Sequence, residues 1–548
     1  MVERLKVADF FCGAGGFSEG FRQAGFDIVF AVDKWNPAVT TYKANLAHTN
    51  VKELDVAEIS RLDDEKFEEL IPDTEVIIGS PPCVAFSNSN KSGNADKELG
   101  IELFTSFLRI IARKWNKKNS ILKYWILENV PNIETYIEEK YTAKDLELKG
   151  IPEETVVLEP KKSLSCGVYN VKYYGAPTNR NRYICGEFPI PEKTTELPET
   201  FITLGKVLET LKKPSDIESQ ITDCNYPDLS LQYSEVTDHD YTYFVEKFEW
   251  ESAKRLKKDR GYMGKMSFPE RLDRPSRTVM ATMSASSRES MVLKIDDSEE
   301  YRLPTVREAA SMMSFPIDYR FYGRTRGTKY TLVGNAVPPK FSNALAKAIA
   351  SEESMEIPSK YIPIEYDPEI EFVNLNGKPI ERKKERKKRN VTKFKYHIPY
   401  LIISSYRVEL TNRNSDMKRQ NFKWDAEIHY SQGRENAKCH KPCVLTNMND
   451  TLKKKIYSFL DSLKDRVTTF NDFQGIFCMT EEERGKRMGP YELLSAIRKF
   501  IDDNVIDPSE TITLGGLEKP IPRAIAVGYT VLVIALDLMK AKGIPRAT

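Results

Sequence analysis

The chain has 548 residues with 82 Lys and Arg against 80 Asp and Glu, a formal net charge of +2, and this length favours two to four domains over a single core. Its composition is that of a globular protein, and we find neither an apolar stretch of roughly 20 residues that would cross a bilayer nor a secretory signal in MVERLKVADFF. We therefore expect a cytoplasmic protein whose eight cysteines, which lack a disulfide-framework spacing, stay reduced.

The first 130 residues alternate between strand-like apolar runs and helical patterns. The predicted strands cover residues 5–11, 27–32, 75–78 and 124–130. The predicted helices have the sequences FSEGFRQAG, AVTTYKANL and IELFTSFLRIIARKW. This alternation predicts an α/β fold with a doubly wound, Rossmann-like sheet, whose functional residues follow the carboxyl ends of the strands. Asp33, Cys83 and Glu128 lie at such ends.

Changes in composition along the chain predict its division into segments. Residues 1–190 form the α/β domain, which residues 301–350 complete with the helix FSNALAKAIASE. Residues 191–300 mix aromatic and basic side chains and indicate a smaller lobe. Residues 351–390 include the run ERKKERKKR and indicate a charged linker. We expect residues 391–548 to form an additional α+β domain.

Two features near the first strands indicate a small-molecule site. The cluster FCGAGGFS lets backbone amides approach a ligand at a helix N-terminus, although a purely structural turn would need the same glycines. Asp33 stands about 20 residues further on, where an acid bonds ribose hydroxyls in such folds. An ordinary helix N-cap explains Asp33 equally well.

Cys83 and Glu128 are candidate catalytic residues. The two prolines of GSPPC stiffen the loop and place the Cys83 thiol beyond a strand end. There the thiol can act as an activated nucleophile, or lie buried as a small apolar side chain. Glu128, in the tripeptide ENV, can hold or donate a proton on a ring nitrogen, or form an ion pair at the strand end.

Over about residues 5–350 the chain resembles the DNA cytosine-5 methyltransferase family. The resemblance lies in five segments that follow the family's order: DFFCGAGGFSEGF, GSPPCVAFS, ENV, NVKYYGAPTNRNR and YTLVGNAVPP. It implies transfer of a methyl group from S-adenosyl-L-methionine to C5 of a cytosine that is flipped out of double-stranded DNA. The domain of residues 1–190 would then bind the cofactor, and the lobe of residues 191–300 would recognise the target.

The resemblance also implies roles for individual residues. Cys83 would attack cytosine C6, Glu128 would contact N3 and the exocyclic amine, and Arg182 would contact the flipped base. Cofactor positions are implied on the methionine side, at the ribose, near the adenine, in the proline loop and at the junction with the recognition lobe: Phe10, Gly13, Gly15, Gly16, Asp33, Asp55, Pro82 and Asn335.

Two positions depart from the family pattern. Thr178 stands where the family usually has glutamine, and Asp33 stands where glutamate is commoner. Neither change touches Cys83, Glu128 or Arg182, so we expect an active enzyme.

Basic side chains in and near the lobe are the expected DNA contacts, as phosphate clamps or guanine readers. Most such residues in proteins are solvated surface, and Arg180 has support of its own loop as an alternative role. The candidates are Arg180, Lys257, Lys258, Arg260, Arg271, Arg274, Arg277, Arg288, Arg324 and Arg326.

The resemblance ends near residue 351. For residues 391–548 we favour an auxiliary DNA-contacting domain, with a fused endonuclease and an oligomerisation domain as alternatives. Cys439, His440 and Cys443 in KCHKPC, with Cys478 as a distant fourth ligand, lack a second CxxC-type pair, so we predict no metal. We expect a modification enzyme of a restriction–modification system that acts as a monomer on DNA alongside a partner endonuclease. The alternatives are a tRNA cytosine-5 methyltransferase, a methyltransferase fused to an endonuclease, and a non-catalytic DNA-binding protein.

Overall fold

In the computed structural model the chain folds into two compact units. The first contains residues 1–245 and 269–379, and the second contains residues 246–268 and 380–548. The residues that the structure describes are 4–82, 97–213, 219–241, 244–259, 265–284, 287–296, 298–375, 394–416, 419, 421–430, 438–504 and 510–542.

A central sheet organises the first unit. Its strands, numbered along the whole chain, are β1 Lys6–Phe10, β2 Asp27–Asp33, β3 Asn50–Glu53, β4 Val76–Gly79, β5 Tyr124–Asn129, β8 Gly167–Asn170 and β10 Asn181–Glu187. Their order is β3-β2-β1-β4-β5-β10-β8. The strands from β3 to β5 run parallel, whereas β10 is antiparallel to both of its neighbours. The order reverses at β1, so a crevice opens at the carboxyl ends of β1 and β4.

Helices cover both faces of this sheet, which is why its strands are apolar on both sides. The helices of the first unit are α1 Gly16–Gln23, α2 Asn36–Asn45, α3 Val56–Ser60, α4 Asp64–Leu70, α5 Lys97–Trp115, α6 Leu204–Leu211, α8 Val306–Met312, α9 Arg326–Asn335 and α10 Pro339–Glu352. On one face α1 packs against α10, and Phe17, Phe21 and Phe341 share a buried cluster. On the other face α5 contributes Phe104 and Phe107 to a second cluster.

The close contact between α1 and α10 depends on a glycine. A Cβ added at Gly20 would lie 2.5 Å from the backbone of Pro339 and Asn343, so a larger residue would push the helices apart. The helix predicted from FSNALAKAIASE is therefore confirmed, and it packs back onto the N-terminal half as expected.

The predicted mixed α/β architecture and its strands at residues 5–11, 27–32, 75–78 and 124–130 are confirmed to within a few residues. Strands β3, β8 and β10 were not predicted, because they are short or lie outside the regular alternation. The remaining strands of the first unit form small pairings: β6 Tyr141–Thr142, β7 Val156–Leu158, β9 Thr178–Asn179, β11 Gln220–Thr222, β12 Ser230–Gln232, β13 Phe244–Val245, β14 Ser276–Arg277, β15 Leu293–Lys294 and β16 Tyr301–Arg302.

The second unit combines an antiparallel sheet with helices. Its elements are α7 Lys247–Lys258, β17 Lys395–Ile403, β18 Tyr406–Thr411, β19 Asp425–Tyr430, β20 Lys438–His440, α11 Asp450–Leu463, α12 Phe470–Ile476, α13 Glu481–Arg484, α14 Pro490–Asp503, β21 Thr511–Ile512, β22 Ile521–Pro522 and α15 Arg523–Lys542. The sheet order is β17-β18-β19-β20. Val408, Leu410 and Ile428 on one face of the sheet join the core formed with α14 and α15.

Helix α7 differs from the predicted boundaries, which placed residues 246–268 in the lobe of residues 191–300. In the structure this segment packs within the second unit. Arg255 forms an ion pair with Glu492, at 2.5 Å, and its guanidinium lies 4.3 Å from the ring centroid of Tyr491. These contacts join positions more than 200 residues apart, which composition along the chain does not reveal.

Helix α15 corrects one expectation from the sequence. By length and composition this helix of 20 residues is apolar enough to cross a membrane, whereas we expected no such stretch. However, 67% of its most apolar window is buried inside the protein, where Ile525, Val531 and Leu532 belong to the core of the second unit. The apolar run is explained by packing on all sides of a core helix.

Candidate functional site

A cavity of about 270 Å³ lies at the carboxyl ends of β1, β2, β4 and β5. Its wall comes from the loops that follow these strands and from the segment that joins α9 to α10. The lining residues are Asp9, Phe11, Cys12, Gly13, Ala14, Gly16, Phe17, Asp33, Lys34, Trp35, Ser80, Pro81, Pro82, Glu128, Val130, Arg180, Arg182, Thr331, Leu332, Gly334, Asn335, Ala336 and Val337.

The glycine-rich loop between β1 and α1 forms one wall of the cavity. Gly13 has a φ of +53°, and a Cβ placed on it would meet no atom within 4 Å, so its backbone borders open space. Gly15 caps α1 with a φ of +83°, and α1 then begins at Gly16 with its first turn facing the cavity. A helix N-terminus carries partial positive charge, so this wall suits a carboxylate.

Asp33 connects the loop to the end of β2. Its Oδ2 accepts a hydrogen bond of 3.0 Å from the Gly13 amide, and its Oδ1 accepts one of 2.8 Å from the Trp35 amide. The carboxylate thus holds the glycine loop against the strand end while it lines the cavity. It does not cap α2, whose N-cap is Trp35, so the alternative role of an ordinary helix cap is not what the structure has.

The floor of the cavity contains a buried acid that the sequence did not single out. Asp9 is 1% exposed, and Oδ2 accepts a hydrogen bond of 2.7 Å from Ser18 Oγ, which in turn accepts one from the Tyr42 hydroxyl. Burial raises the pKa of Asp9 to about 8, the Ser18 bond opposes this shift, and Asp33 adds to it. Near neutral pH the floor therefore holds a carboxyl group that is largely protonated.

Glu128 lies at the end of β5 beside two polar neighbours. It is 4% exposed, and its Oε2 accepts a hydrogen bond of 2.6 Å from Ser80 Oγ. Its Oε1 lies 2.8 Å from Arg182 Nε in an ion pair. Register places Ile184 of β10 opposite Glu128 of β5. Arg182 lies two residues along β10, so its side chain is on the same face as that of Ile184 and reaches the carboxylate.

The proline loop after β4 is fixed by the residue that follows Glu128. Asn129 Nδ2 donates a hydrogen bond of 3.0 Å to the Pro81 carbonyl. Pro82 lines the cavity, and the next residue, Cys83, lies outside the described residues. The structure therefore brings Glu128 and Arg182 together. The described loop ends at Pro82, one residue before the predicted nucleophile Cys83.

Arg180 has a supporting role in the structure. It is buried, and its guanidinium donates hydrogen bonds of 3.3 and 3.2 Å to the carbonyl oxygens of Val279 and Ala336. Thr178, at the position where the family usually has glutamine, donates a hydrogen bond of 3.0 Å to the Arg277 carbonyl. The loop before β10 is thus tied to residues 277–279, and the alternative of loop support for Arg180 has a concrete basis.

Several predicted cofactor residues do not line the cavity. Phe10 is fully buried in the core between Phe30 and Phe107, and its neighbour Phe11 faces the cavity instead. The prediction that Phe10 lines the cofactor site is therefore wrong in position. Asp55 caps α3 through a 2.9 Å bond from the Ala57 amide and lies outside the lining.

Most of the other predicted cofactor residues line the cavity. Gly13, Gly16, Asp33, Pro82 and Asn335 line the cavity, whereas Gly15 stands behind it. Phe11, Trp35 and Ser80 were missed, although each lies within two residues of a predicted site residue.

The residues predicted to contact DNA differ in their solvent exposure and in their ion-pair partners. Lys257 is fully buried in the second unit and Arg288 is 8% exposed in the first, so neither presents its charge at the surface, and we withdraw both as phosphate contacts. Arg271 pairs with Asp273, and Arg277 pairs with Glu270 at 2.8 Å. Lys258, Arg274 and Arg324 are exposed, Arg326 is partly exposed, and Arg260 lies outside the described residues.

A larger cavity of about 680 Å³ lies between α3, α4 and α5. Its charged lining is paired internally: Arg109 with Glu147 at 2.9 Å and Arg113 with Asp64 at 2.7 Å. It lies away from the carboxyl ends of the central strands, and we do not assign it to the reaction. Among the described residues, no group of three or more His, Cys, Asp or Glu is placed so that it could hold a metal ion. Cys439, His440 and Cys443 are among the residues searched.

Comparisons with known proteins find matches over most of the first unit. Residues 5–351 match the family model for C-5 cytosine-specific DNA methylase. Type II methyltransferase M1.HphI of Haemophilus parahaemolyticus is 29% identical over 374 residues, which cover 64% of this chain and 88% of that protein. Type II methyltransferase M.MthTI of Methanothermobacter thermautotrophicus is 28% identical over 370 residues, which cover 64% and 98%. The crystal structure of S. pombe Dnmt2 methyltransferase aligns with a TM-score of 0.43 and 18% identity, covering 64% of this chain and 100% of that one.

Proposed function

The chain belongs to the C-5 cytosine-specific DNA methylase family, and from this premise we propose that it methylates C5 of a cytosine flipped out of duplex DNA, through a covalent bond between Cys83 and C6. The methyl donor of the family is S-adenosyl-L-methionine. The family description and the relatives named as Type II methyltransferases support a DNA substrate.

The observation that carries this proposal is the pair formed by Glu128 and Arg182 on the cavity wall. A buried carboxylate and a buried guanidinium 2.8 Å apart can together hold the polar edge of a pyrimidine. Glu128 Oε1 is contacted by Arg182 Nε at 2.8 Å, and a carboxylate oxygen has a second lone pair that can accept a hydrogen bond from a base. The proline loop that ends at Pro82 leads the chain from this wall to Cys83.

The chemistry follows from the electron demand of the ring. C5 of cytosine is a weak nucleophile, and adding the Cys83 thiolate to C6 moves electron density onto C5. Glu128 would assist by sharing a proton with N3 and accepting a hydrogen bond from the exocyclic amine. Once C5 carries the methyl group, its proton passes to water, the electron pair of the C5–H bond re-forms the double bond between C5 and C6, and the bond between sulfur and C6 breaks to restore the thiolate.

S-adenosyl-L-methionine supplies the methyl group that C5 accepts. The residues present fit this molecule, because the open backbone at Gly13 and the first turn of α1 suit its carboxylate. Phe11 and Trp35 offer aromatic surface for a purine. Asp33 keeps the glycine loop in place and faces the cavity at the position expected for a ribose partner.

The target must leave the helix, because C5 and C6 of a stacked cytosine are not accessible to a thiol. Flipping costs a few kcal/mol, which phosphate contacts and hydrogen bonds in the pocket offset. We assign target recognition to the part of residues 191–300 that lies in the first unit. The cellular setting that we propose is a restriction–modification system with a separate endonuclease, in the cytoplasm, with the enzyme acting as a monomer.

The decisive experiment compares wild-type protein with Cys83→Ala on duplex DNA and on tRNA. We expect the wild type to transfer label from methyl-labelled S-adenosylmethionine to the DNA and to form a covalent adduct with a duplex that contains 5-fluorocytosine at the target. The Cys83→Ala variant should bind the donor but give neither product. Methylation of tRNA alone would refute the DNA substrate, and methyl transfer by Cys83→Ala would refute the covalent mechanism.

A further inference from the structure

The sheet of the second unit has one apolar face and one charged face. The apolar face packs on helices, as described above. Register places Glu409 directly opposite His397 on one side and Glu427 on the other, and it places Arg407 opposite His429. Side chains alternate along a strand, so these residues share the face that points away from the helices.

On this face the acidic side chains are buried next to the sheet, and the basic side chains cover them on the solvent side. The side chains of Glu409 and Glu427 are 4% and 1% exposed. Two like charges that face each other across neighbouring strands repel, so each needs a cation nearby. Arg407 Nε donates to Glu409 at 2.7 Å, and Arg413 pairs with Glu427.

Two lysines complete the outer layer. Lys395 Nζ lies 3.2 Å from Glu409, and Lys441 Nζ lies 3.6 Å from Glu427 and 3.2 Å from the partly exposed Asp425. The four cationic side chains are between 32% and 48% exposed. Burial lowers the pKa of His397 and His429, so these imidazoles are mostly neutral near pH 7 and add little charge. The face therefore presents positive charge outward, held in place by buried carboxylates.

We propose that this face binds the phosphate backbone of duplex DNA through its four cations, Lys395, Arg407, Arg413 and Lys441. The inference rests on the proposed function, which makes duplex DNA the substrate of this chain. Charge complementarity selects the occupant: guanidinium and ammonium groups that are half-exposed and already anchored lose little conformational freedom when they meet a phosphate. The family match ends at residue 351, so the proposal assigns a role to a part of the chain that the match does not cover.

The lysines allow a test that leaves the fold intact. In the double variant Lys395→Gln/Lys441→Gln each buried glutamate keeps its arginine partner, and the partly exposed Asp425 keeps its hydrogen bond from Asn414. The matched control is Lys453→Gln/Lys454→Gln, which removes the same charge from two exposed lysines on α11. Helix α11 contributes its Leu452 and Ile456 to the core formed with α15, in the helical part of the unit.

The measurement is the salt dependence of the full-length protein's affinity for a fluorescent duplex of about 30 base pairs. The slope of log K against log salt is negative, and each phosphate contact adds about 0.9 to its magnitude. We expect the Lys395→Gln/Lys441→Gln variant to have a slope smaller in magnitude by about 1.8 than that of the wild type. The control should keep the wild-type slope. Thermal unfolding of each variant confirms that the comparison is between folded proteins.

The same duplex, carrying a methylation target, separates this inference from the proposed function. Wild-type methylation together with an unchanged slope in the double variant would overturn the DNA-binding face and leave the proposed function standing. A slope of smaller magnitude in the double variant, without any methylation of DNA by the wild type, would support DNA binding by this face and refute the proposed function. Stronger competition by tRNA than by duplex DNA would overturn DNA as the occupant.

Discussion

Replacing Glu128 with glutamine is the sharpest test of how the pyrimidine is activated. Glutamine keeps the shape of the side chain and one oxygen, so the 2.6 Å bond from Ser80 can persist. The amide NH₂ would then face Arg182 Nε, 2.8 Å from the present carboxylate oxygen, and place two donors against each other. Arg182 would also lose its counter-charge while it remains buried.

Two magnitudes follow from this geometry. Leaving a buried charged donor without its acceptor costs about 1–3 kcal/mol, and water in the adjoining cavity favours the lower part of that range. Losing proton transfer at N3 lowers the rate of methyl transfer by about 10²–10⁴-fold, which is the usual contribution of general acid–base catalysis. A loss of stability of this size leaves most of the enzyme folded, so the expected fall in the rate of methyl transfer cannot come from unfolding of the variant.

The assay is single-turnover methyl transfer with saturating donor and target duplex, together with thermal unfolding of the same preparation. Ser80→Ala is the control, since it removes one hydrogen bond to Glu128 and leaves the ion pair with Arg182. We expect this variant to lose about 1 kcal/mol of stability and to stay much more active than Glu128→Gln. A folded Glu128→Gln enzyme that methylates within about threefold of the wild-type rate would refute the role of this carboxylate.

Three further predictions concern the cofactor cavity. Gly16→Ala places a Cβ 2.3 Å from the Val337 carbonyl, so it should lower thermal stability and donor affinity together, and an unchanged melting temperature would contradict the packing. Phe11→Ala removes aromatic surface from the cavity and should weaken donor binding by about tenfold in calorimetry, at a cost of roughly 1.4 kcal/mol, with little loss of stability; equal affinity would return the contact to Phe10. Burial raises the pKa of Asp9 to about 8, so its contribution to stability is complete below about pH 4 and is lost as the pH rises to about 8. The Asp9→Asn variant should lack this decline of a few kcal/mol in denaturant unfolding, and a decline of the same size in both proteins would exclude Asp9 as its source.

The sequence predicted most of the catalytic half because its information there is local. A strand that ends in a glycine cluster, or in two prolines, specifies the turn that follows it within a few residues. Gly13 and Pro82 were found in this way, Asp33 and Glu128 were found as acids at strand ends, and all four line the cavity. The family resemblance over residues 5–350 is confirmed by the family match over residues 5–351.

Contacts between distant segments were beyond the reach of local patterns. Arg182 meets Glu128 because β10 inserts next to β5 in antiparallel register. For Arg180 the sequence left DNA contact and loop support open, and its hydrogen bonds to the Val279 and Ala336 carbonyls favour loop support. Lys257 has the sequence context of a surface lysine and is buried.

By itself, the amino-acid sequence determined the family, the alternating strands and helices, and the loops that carry the reactive groups, since backbone preferences and short motifs act over a few residues. Only the tertiary structure decided that Phe11 rather than Phe10 faces the cavity, because this depends on the turn with a φ of 55° at Phe11 after β1. It also decided that residues 246–268 join the second unit, and that buried glutamates hold a layer of cations on its sheet. These outcomes depend on which strands and helices become neighbours, and that is set by burial and pairing across the whole chain.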